Sequence, residues 1–595
     1  MLTVINSITS EAITPAEQAL GTFTRRKLKT MDTWNEWEQG ERKQLNQFHD
    51  LQMFGDDIAR PLEENAIILR SHWQYHVKRD GQRRAQQCCD GSKRAAPILH
   101  ALAKTYSSCV EHPIQRQFLA LAAQQNFLLF GGDAKDAFAH SPAPEVPTYM
   151  TIDNQYYDWY FHKFNKKLDR SRVLPVLRAL QGHPESGKLW ERHINNILLG
   201  PALNFKHTTH DRTIYQTTFN GNKVLLLRMV DNLLIRCEHE DTAKAIYNLI
   251  GLALQLENED EPPFAYLGPC VDFNGVDIEQ SNTHIMISCQ NYIDRMLRAH
   301  GWNISKKKLS TNLSPLPDAC LKTIYNECGP DEGTVDAYKL ELSQGFAYRT
   351  LLGEMMYAYV TCRPDIGYAI TTMSKFSTKP SKYHYELLKG IAKYLRETKT
   401  WGIKYTRSTE RNDLYPASLV SDVVADEDLP PFPVDINPPI LMAFVDAAYA
   451  NDQRKRRSTT GFVLTYCGGA IVYRSKTQSV TALSSTEAEF FAAVSCAKIA
   501  LYIRSILFEL GFACTGATPI YEDNKSTIDI VNSSVPTERA RHVYIQYFAI
   551  QDWKEWGCIE LIHIPGILNP SDTLTKPLGW VLHSRHCRRF MGHYA

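Results

Sequence analysis

The chain lacks paired-cysteine motifs. Its 14 cysteines are scattered, none stands in a C-x-x-C spacing, and Cys88 and Cys89 are adjacent. That pattern excludes a C-x-x-C zinc site and argues for reduced thiols over a disulfide scaffold. No apolar run approaches the roughly 20 residues that a membrane span needs, so no membrane partner is expected. The N-terminus, MLTVINSITSEAITPAEQAL, has no basic region leading into an apolar core, and no signal peptide is read there. Net charge is also missing: 66 Lys+Arg offset 65 Asp+Glu, for a formal +1. The total therefore makes no case for a polyanionic partner, and the distribution of charge has to be read instead. No internal repeat is apparent.

The composition is globular, with 44% hydrophobic and 22% charged residues. A length of 595 residues fits about four domain-sized units. Basic clusters lie at Lys78–Arg94, Lys306–Lys308, Arg454–Arg457 and Arg585–Arg589, and acidic ones at Glu238–Asp241, Glu257–Glu261 and Asp422–Asp428. A neutral total can conceal a positive channel of the kind that backbone binding requires, although solvated surface charge explains any single cluster. The segment SDVVADEDLPPFPVDINPP, about 421–439, is acidic and proline-rich and reads as a linker. Beyond it, strand patterns at Leu441–Asp446, Gly461–Cys467 and Ala470–Arg474 precede a helix pattern over Thr486–Leu510. A strand at Pro519–Asp523, helices at Lys525–Asn532 and Val543–Trp556, and a strand at Ile559–Ile564 follow. That order predicts an α/β domain with a mixed sheet. Upstream, 60–300 mixes short strands with helices at Lys188–Leu199 and Thr242–Leu254, and 345–400 reads as mainly helical.

Four acids in the last quarter stand at the ends of strand patterns or the starts of helical ones: Asp446, Glu489, Asp523 and Asp572. Brought together, four carboxylates repel unless a divalent metal neutralises them, and hard oxygen ligands suit Mg²⁺. Two ions about 3.5–4 Å apart can activate a water and stabilise a leaving phosphodiester oxygen. Glu487 competes with Glu489, but two helical positions differ by about 200°, so only one of them faces the site. A second set lies upstream. NFLLFGGDAKDAF puts Asp133 after an apolar run, and KVLLLRMVDNLLIRC puts Asp231 in the turn between two strand-like halves. An acid in a hairpin turn facing an acid at a neighbouring strand end is a two-metal polymerase arrangement. Taken singly, each is also an ordinary helix start or hairpin turn.

The run FVDAAYAN, RRSTTGF, SSTEAEF, YEDNKS, ARHVYIQYF and LTKPL resembles the ribonuclease H domain of copia-type LTR retrotransposon polyproteins. DAKDAF, ALQGHPESGKLW, MVDNL, YLG, YR…G and TCRPDI resemble the reverse transcriptase of the same elements. The resemblance implies a multi-domain α+β and α/β protein. It would comprise a right-hand reverse transcriptase of fingers, palm and thumb, a helical connection, and a ribonuclease H-like mixed-sheet domain. The expected division is a polar, partly disordered segment over 1–60, fingers and palm over 61–300, thumb and connection over 301–405, a linker over 406–439, and the ribonuclease H-like domain over 440–595. The implied activities are RNA-directed DNA synthesis from RNA template, DNA primer and dNTPs, and cleavage of RNA in RNA–DNA hybrids. Each site would use two Mg²⁺ or Mn²⁺ ions.

By this resemblance Asp133 and Asp231 hold metal in the polymerase, and Asp446, Glu489, Asp523 and Asp572 hold it in the ribonuclease. Phe138 would exclude a ribose 2′-hydroxyl and Arg84 would face the incoming triphosphate. His563 matches a histidine that assists product departure, with an ordinary strand-end histidine as the other reading. The implied location is cytoplasmic, in a virus-like particle, or nuclear. Four positions depart from the family pattern: Asn232 replaces the second Asp of its Y-V-D-D box and Met229 its Tyr, Gln86 an arginine, and Glu185 a glutamine at the nucleotide. An amide keeps one oxygen ligand and loses a charge. These departures leave open an alternative in which the polymerase module only binds template–primer, with ribonuclease H the sole activity or none. No nucleocapsid knuckle, protease turn or integrase zinc module is found.

Overall fold

The computed structural model describes residues 23–61, 66–77, 82–257, 259–303, 314–407, 439–533 and 544–592. Residues 1–22, Lys306–Lys308, Asp422–Asp428 and nearly all of the expected linker lie outside them.

A six-stranded antiparallel sheet forms the first core. Its order is Phe264–Pro269, Leu128–Ala134, Asn232–Cys237, Asn222–Met229, Ile214–Phe219 and Lys206–His207. Alternation divides its leucines between two faces. Leu226, Leu233 and Ile235 pack with the helices Ser186–Leu198 and Glu240–Leu254. Leu225, Leu227 and Leu234 pack toward the helix His112–Gln124. That helix was not legible as amphipathic because Ile114 through Ala123 are all buried, and a helix covered on every side shows no polar stripe.

The expected polar segment over 1–60 carries, in its second half, the 17-residue helix Trp34–Asp50. A two-stranded hairpin, Ser71–Val77 with Arg83–Cys89, packs on this helix. Such a ribbon is at best marginal alone. Here Leu28 and Trp37 from the N-terminal helices complete a small core with Tyr75, Val77 and Ala85. The polar reading missed the helix because Trp37, Leu45 and Phe48 are its only large buried apolar side chains.

The helices Val335–Gln344, Tyr348–Thr361, Gly367–Ser374 and Lys382–Glu397 form the expected helical connection. It is stitched to what precedes it, because the strand Gly402–Thr406 returns to pair antiparallel with His284–Ser288. Inside it Arg363 and Asp365 form a fully buried bidentate pair at 2.9 and 2.6 Å. Tyr394 donates to Asp365 as well, at 2.8 Å. Desolvation works against the Asp365 charge, but the Arg363 guanidinium keeps its carboxyl below the usual range.

The C-terminal domain is the expected mixed sheet, in the order Gly469–Thr477, Arg457–Tyr466, Met442–Asp452, Thr518–Glu522, Ile559–His563. The first three strands are antiparallel and the last two join in parallel. The helix Ser485–Glu509 packs across it. Contrary to the reading of the bare sequence, this helix has the length and apolarity of a membrane span. Its apolar residues are spent on the domain core, where Ala492, Ala493, Cys496, Ala497, Ala500 and Ile503 are wholly buried.

The domains meet through buried cations. Arg116, from the helix His112–Gln124, donates to the carbonyls of Ile471 at 2.8 Å and Thr361 at 2.6 Å, and to the Tyr473 hydroxyl at 3.0 Å. One side chain thus ties the central helix to the connection and to the edge strand of the C-terminal sheet.

Two candidate active sites

In the six-stranded sheet, Asn232 stands opposite Asp133 in register. Asp231 lies in the two-residue turn between Met229 and Asn232, and the Ala134 N–H donates to the Asp231 carbonyl at 3.0 Å. Val230, the other turn residue, has φ +55°, a strained conformation for a β-branched side chain. The Trp190 indole holds the turn by donating to the Val230 carbonyl at 2.6 Å. Both carboxylates open into a cavity of about 680 Å³ that is also lined by Arg84, Lys135 and Asp136. Burial, then Asp231 and Asp136, push Asp133 up to about 6, against the pull of Arg84 and Lys135. Burial also raises Asp231, opposed in part by the Asn232 amide, which donates to its Oδ1 at 3.3 Å. Where the family pattern has a like charge, this chain has a hydrogen-bond donor.

The remaining expectations divide. Arg84 lines the cavity as expected. Gln86 does not, and its amide donates to Gln181 instead. Phe138 is half-buried against the core around Trp190 and Leu233 and is not among the cavity-lining side chains. Glu185 is 2% exposed and accepts from the Val146 N–H at 3.3 Å, so its charge is turned away from the cavity.

The second site is more crowded. Ligand oxygens of Asp446, Glu489 and Asp523 all lie within 4.8 Å of one another. Asp446 sits within the strand Met442–Asp452, opposite Gly461. A Cβ on Gly461 would stand 2.5 Å from Thr575 Cγ2, so this glycine lets the turn Pro570–Leu574 close over the strand. Asn569 Nδ2 donates to the Val445 carbonyl at 2.8 Å, and the Thr575 hydroxyl donates to Asp446, so the turn carries Asp572 to the site. The competition between Glu487 and Glu489 is resolved by capping. Ser484 accepts from the Glu487 N–H at 3.1 Å while the Glu487 carboxylate accepts from the Leu483 N–H at 2.6 Å. Glu489, one face round, is buried among the acids.

Two members escaped sequence reasoning. Glu522, next to Asp523, is wholly buried; it reads as a strand residue, and only the alternation of the strand Thr518–Glu522 could have turned it inward. Lys576, four residues after Asp572, reaches Asp572 Oδ1 at 2.8 Å and Asp446 Oδ2 at 3.8 Å. Burial, with the neighbouring carboxylates, pushes Glu489 and Glu522 far above the ordinary range. Burial and Asp446 lift Asp572 to about 8, although Lys576 opposes them. Burial disfavours the Lys576 charge, yet Asp446 and Asp572 hold its pKa above the usual lysine value. His563 ends the neighbouring strand, opposite Glu522, is exposed, and its charge bears on Asp523. One oxygen each of Glu489 and Glu522 is buried without a hydrogen-bond partner. Carboxylates so crowded and unsatisfied fit a divalent cation.

A strand-end carboxylate pair in a cavity of mixed charge, on an antiparallel sheet, and an acidic cluster on a mixed sheet are the two sites that this fold presents. Residues 57–310 match the family described as "Reverse transcriptase (RNA-dependent DNA polymerase)". The chain is 26% identical over 518 residues to the "Retrovirus-related Pol polyprotein from transposon TNT 1-94" of Nicotiana tabacum, covering 85% of this chain and 34% of that one. It is 26% identical over 531 residues to the "Retrovirus-related Pol polyprotein from transposon RE1" of Arabidopsis thaliana, covering 88% and 31%. A foamy viral protease-reverse transcriptase in complex with dsDNA aligns with TM-score 0.45 and 11% identity over 89% of this chain and 69% of that chain. Over most of its length the chain is similar to these transposon Pol polyproteins. It spans about a third of the length of these curated relatives.

Proposed function

We propose that the chain is a retrotransposon reverse transcriptase with ribonuclease H activity, acting on an RNA template, a DNA primer, dNTPs and the resulting RNA–DNA hybrid. The observation that carries this reading is the pairing of two separate carboxylate sites on one frame, Asp133 with Asp231 and Asp446 with Glu489 and Asp523. Two Mg²⁺ or Mn²⁺ ions at each site would supply Lewis-acid activation of the attacking oxygen and neutralise charge at the leaving oxygen. In the first site Asp133 and Asp231 would hold those ions, and Arg84 would hold the triphosphate through its planar donors. Asn232, which replaces the second carboxylate of the family pattern, would act in this site by donating to Asp231 Oδ1 at 3.3 Å. Phe138 packs in the core beside the cavity, where ordinary packing accounts for it. In the second site Asp446, Glu489, Asp523 and Asp572 would hold metal and position a water, with His563 at the rim to assist product departure. The place of action would be cytoplasmic, in a virus-like particle, or nuclear.

The test is to incubate the purified chain with Mg²⁺ or Mn²⁺ on a primed, labelled RNA template, scoring primer extension and RNA cleavage together. The reading expects both. Cleavage without extension under either metal would leave a ribonuclease carried on a binding module, and neither activity would reject the proposal.

A further inference from the structure

The helix Trp34–Asp50 lies upstream of the residues that match the reverse transcriptase family, yet it forms one wall of the cavity that holds Asp133 and Asp231. It carries two stripes at helical spacing. Trp37, Glu41, Leu45 and Phe48 are buried, while Glu36, Gly40, Lys43 and Gln47 face the cavity.

Three contacts fix the helix there. A Cβ on Gly40 would stand 3.2 Å from the Ala85 nitrogen and the Arg83 carbonyl, so the helix backbone touches the strand that bears Arg84. Glu36 pairs with Arg83. Gln47 donates to Asp136, the third aspartate of the cavity, and so engages a carboxylate that faces the same volume. Lys43 is exposed and makes no ion pair among the described residues. Asp133 and Asp231 would be taken up by the catalytic cations, and Lys43, Arg84 and Lys135 bring positive charge to the same cavity. A helix and a hairpin thus line one cavity with cations.

We propose that this helix is part of the nucleoside triphosphate site, with Lys43 binding a phosphate oxygen as a point charge while the helix holds the Arg84 strand against the same phosphates. The inference rests on the polymerase reading of the cavity.

The test uses the full chain on an RNA template with a dideoxy-terminated primer and Mg²⁺, titrating dTTP opposite a templating adenine, beside steady-state extension of an unblocked primer. Lys43→Ala is expected to weaken dTTP binding and raise its KM about tenfold. The value of kcat and the affinity for primer–template should stay within about twofold of the parent. Lys43→Arg should recover most of the loss, and Lys43→Gln should behave as the alanine variant does. Hybrid cleavage by the C-terminal domain and the unfolding midpoint report that the variants are folded. Unchanged dTTP affinity in Lys43→Ala and Lys43→Gln overturns the proposal, as does a loss confined to primer–template binding. A parent that binds dTTP without extending the primer sinks the polymerase activity but leaves the Lys43 comparison decisive. A parent that binds no dTTP overturns both.

Discussion

The two carboxylate sites solve the same electrostatic problem with different materials. In the six-stranded sheet two acids face an open cavity and are tempered from outside, by Arg84, Lys135 and the Asn232 amide. In the C-terminal sheet four buried acids and the half-buried Asp523 are packed together, and a single lysine four residues after Asp572 reaches into them. The first arrangement leaves room for a large anionic substrate. The second holds its carboxylates at the expense of stability until cations arrive. An open site takes its compensating charge from neighbouring elements, whereas a closed one has to carry it within.

The sharpest way to break the comparison is to remove one acid from each site. Asp231→Ala is expected to lower primer extension by about 10²–10³-fold with cleavage intact, and Asp446→Ala to do the reverse. Assays of both variants on one substrate check this. Arg363→Ala attacks instead what the two sites share. It strands the buried Asp365 charge and is expected to cost about 3–5 kcal/mol, measured by denaturant unfolding, with both activities falling together.

pH separates the sites more finely. Asp133 and Asp572 have folded pKa values raised to about 6 and about 8. A raised carboxyl favours the folded state fully below its unfolded pKa, and that contribution is lost as pH rises through the folded value. Metal-free protein should therefore lose thermal stability between about pH 4 and pH 8. Added Mg²⁺ should raise the midpoint more at pH 8 than at pH 5, and an equal rise at both would count against carboxylate-bound metal. Lys576→Met removes the internal cation. Because the lysine is 42% exposed, a loss of only about 1 kcal/mol is expected without metal, with a larger recovery on adding Mn²⁺ than the parent shows. Asn232→Asp should change extension within about tenfold, since the amide already supports Asp231. A hundredfold rise would mark Asn232 as damage.

Much of the C-terminal domain was legible because its strands alternate and its acids sit at their ends. The helix expected over Thr486–Leu510 is Ser485–Glu509, and the strand expected over Pro519–Asp523 is Thr518–Glu522. Burial is what the sequence hid. The helix His112–Gln124 has no polar face to betray it, and Glu522 looks like any strand-end acid until it turns inward. The position of Glu185 depends on the Val146 loop, a contact no local pattern encodes. Lys43 was invisible because nothing in WNEWEQGERKQLNQFHD says which part of the molecule that helix will wall.

One frame carries two carboxylate sites that should act independently. The most direct measurement follows extension and hybrid cleavage in the same tube for the parent, Asp231→Ala and Asp446→Ala. The parent is expected to do both, the first variant only to cleave, and the second only to extend. Loss of both activities in either variant, or extension that survives Asp231→Ala, would contradict it.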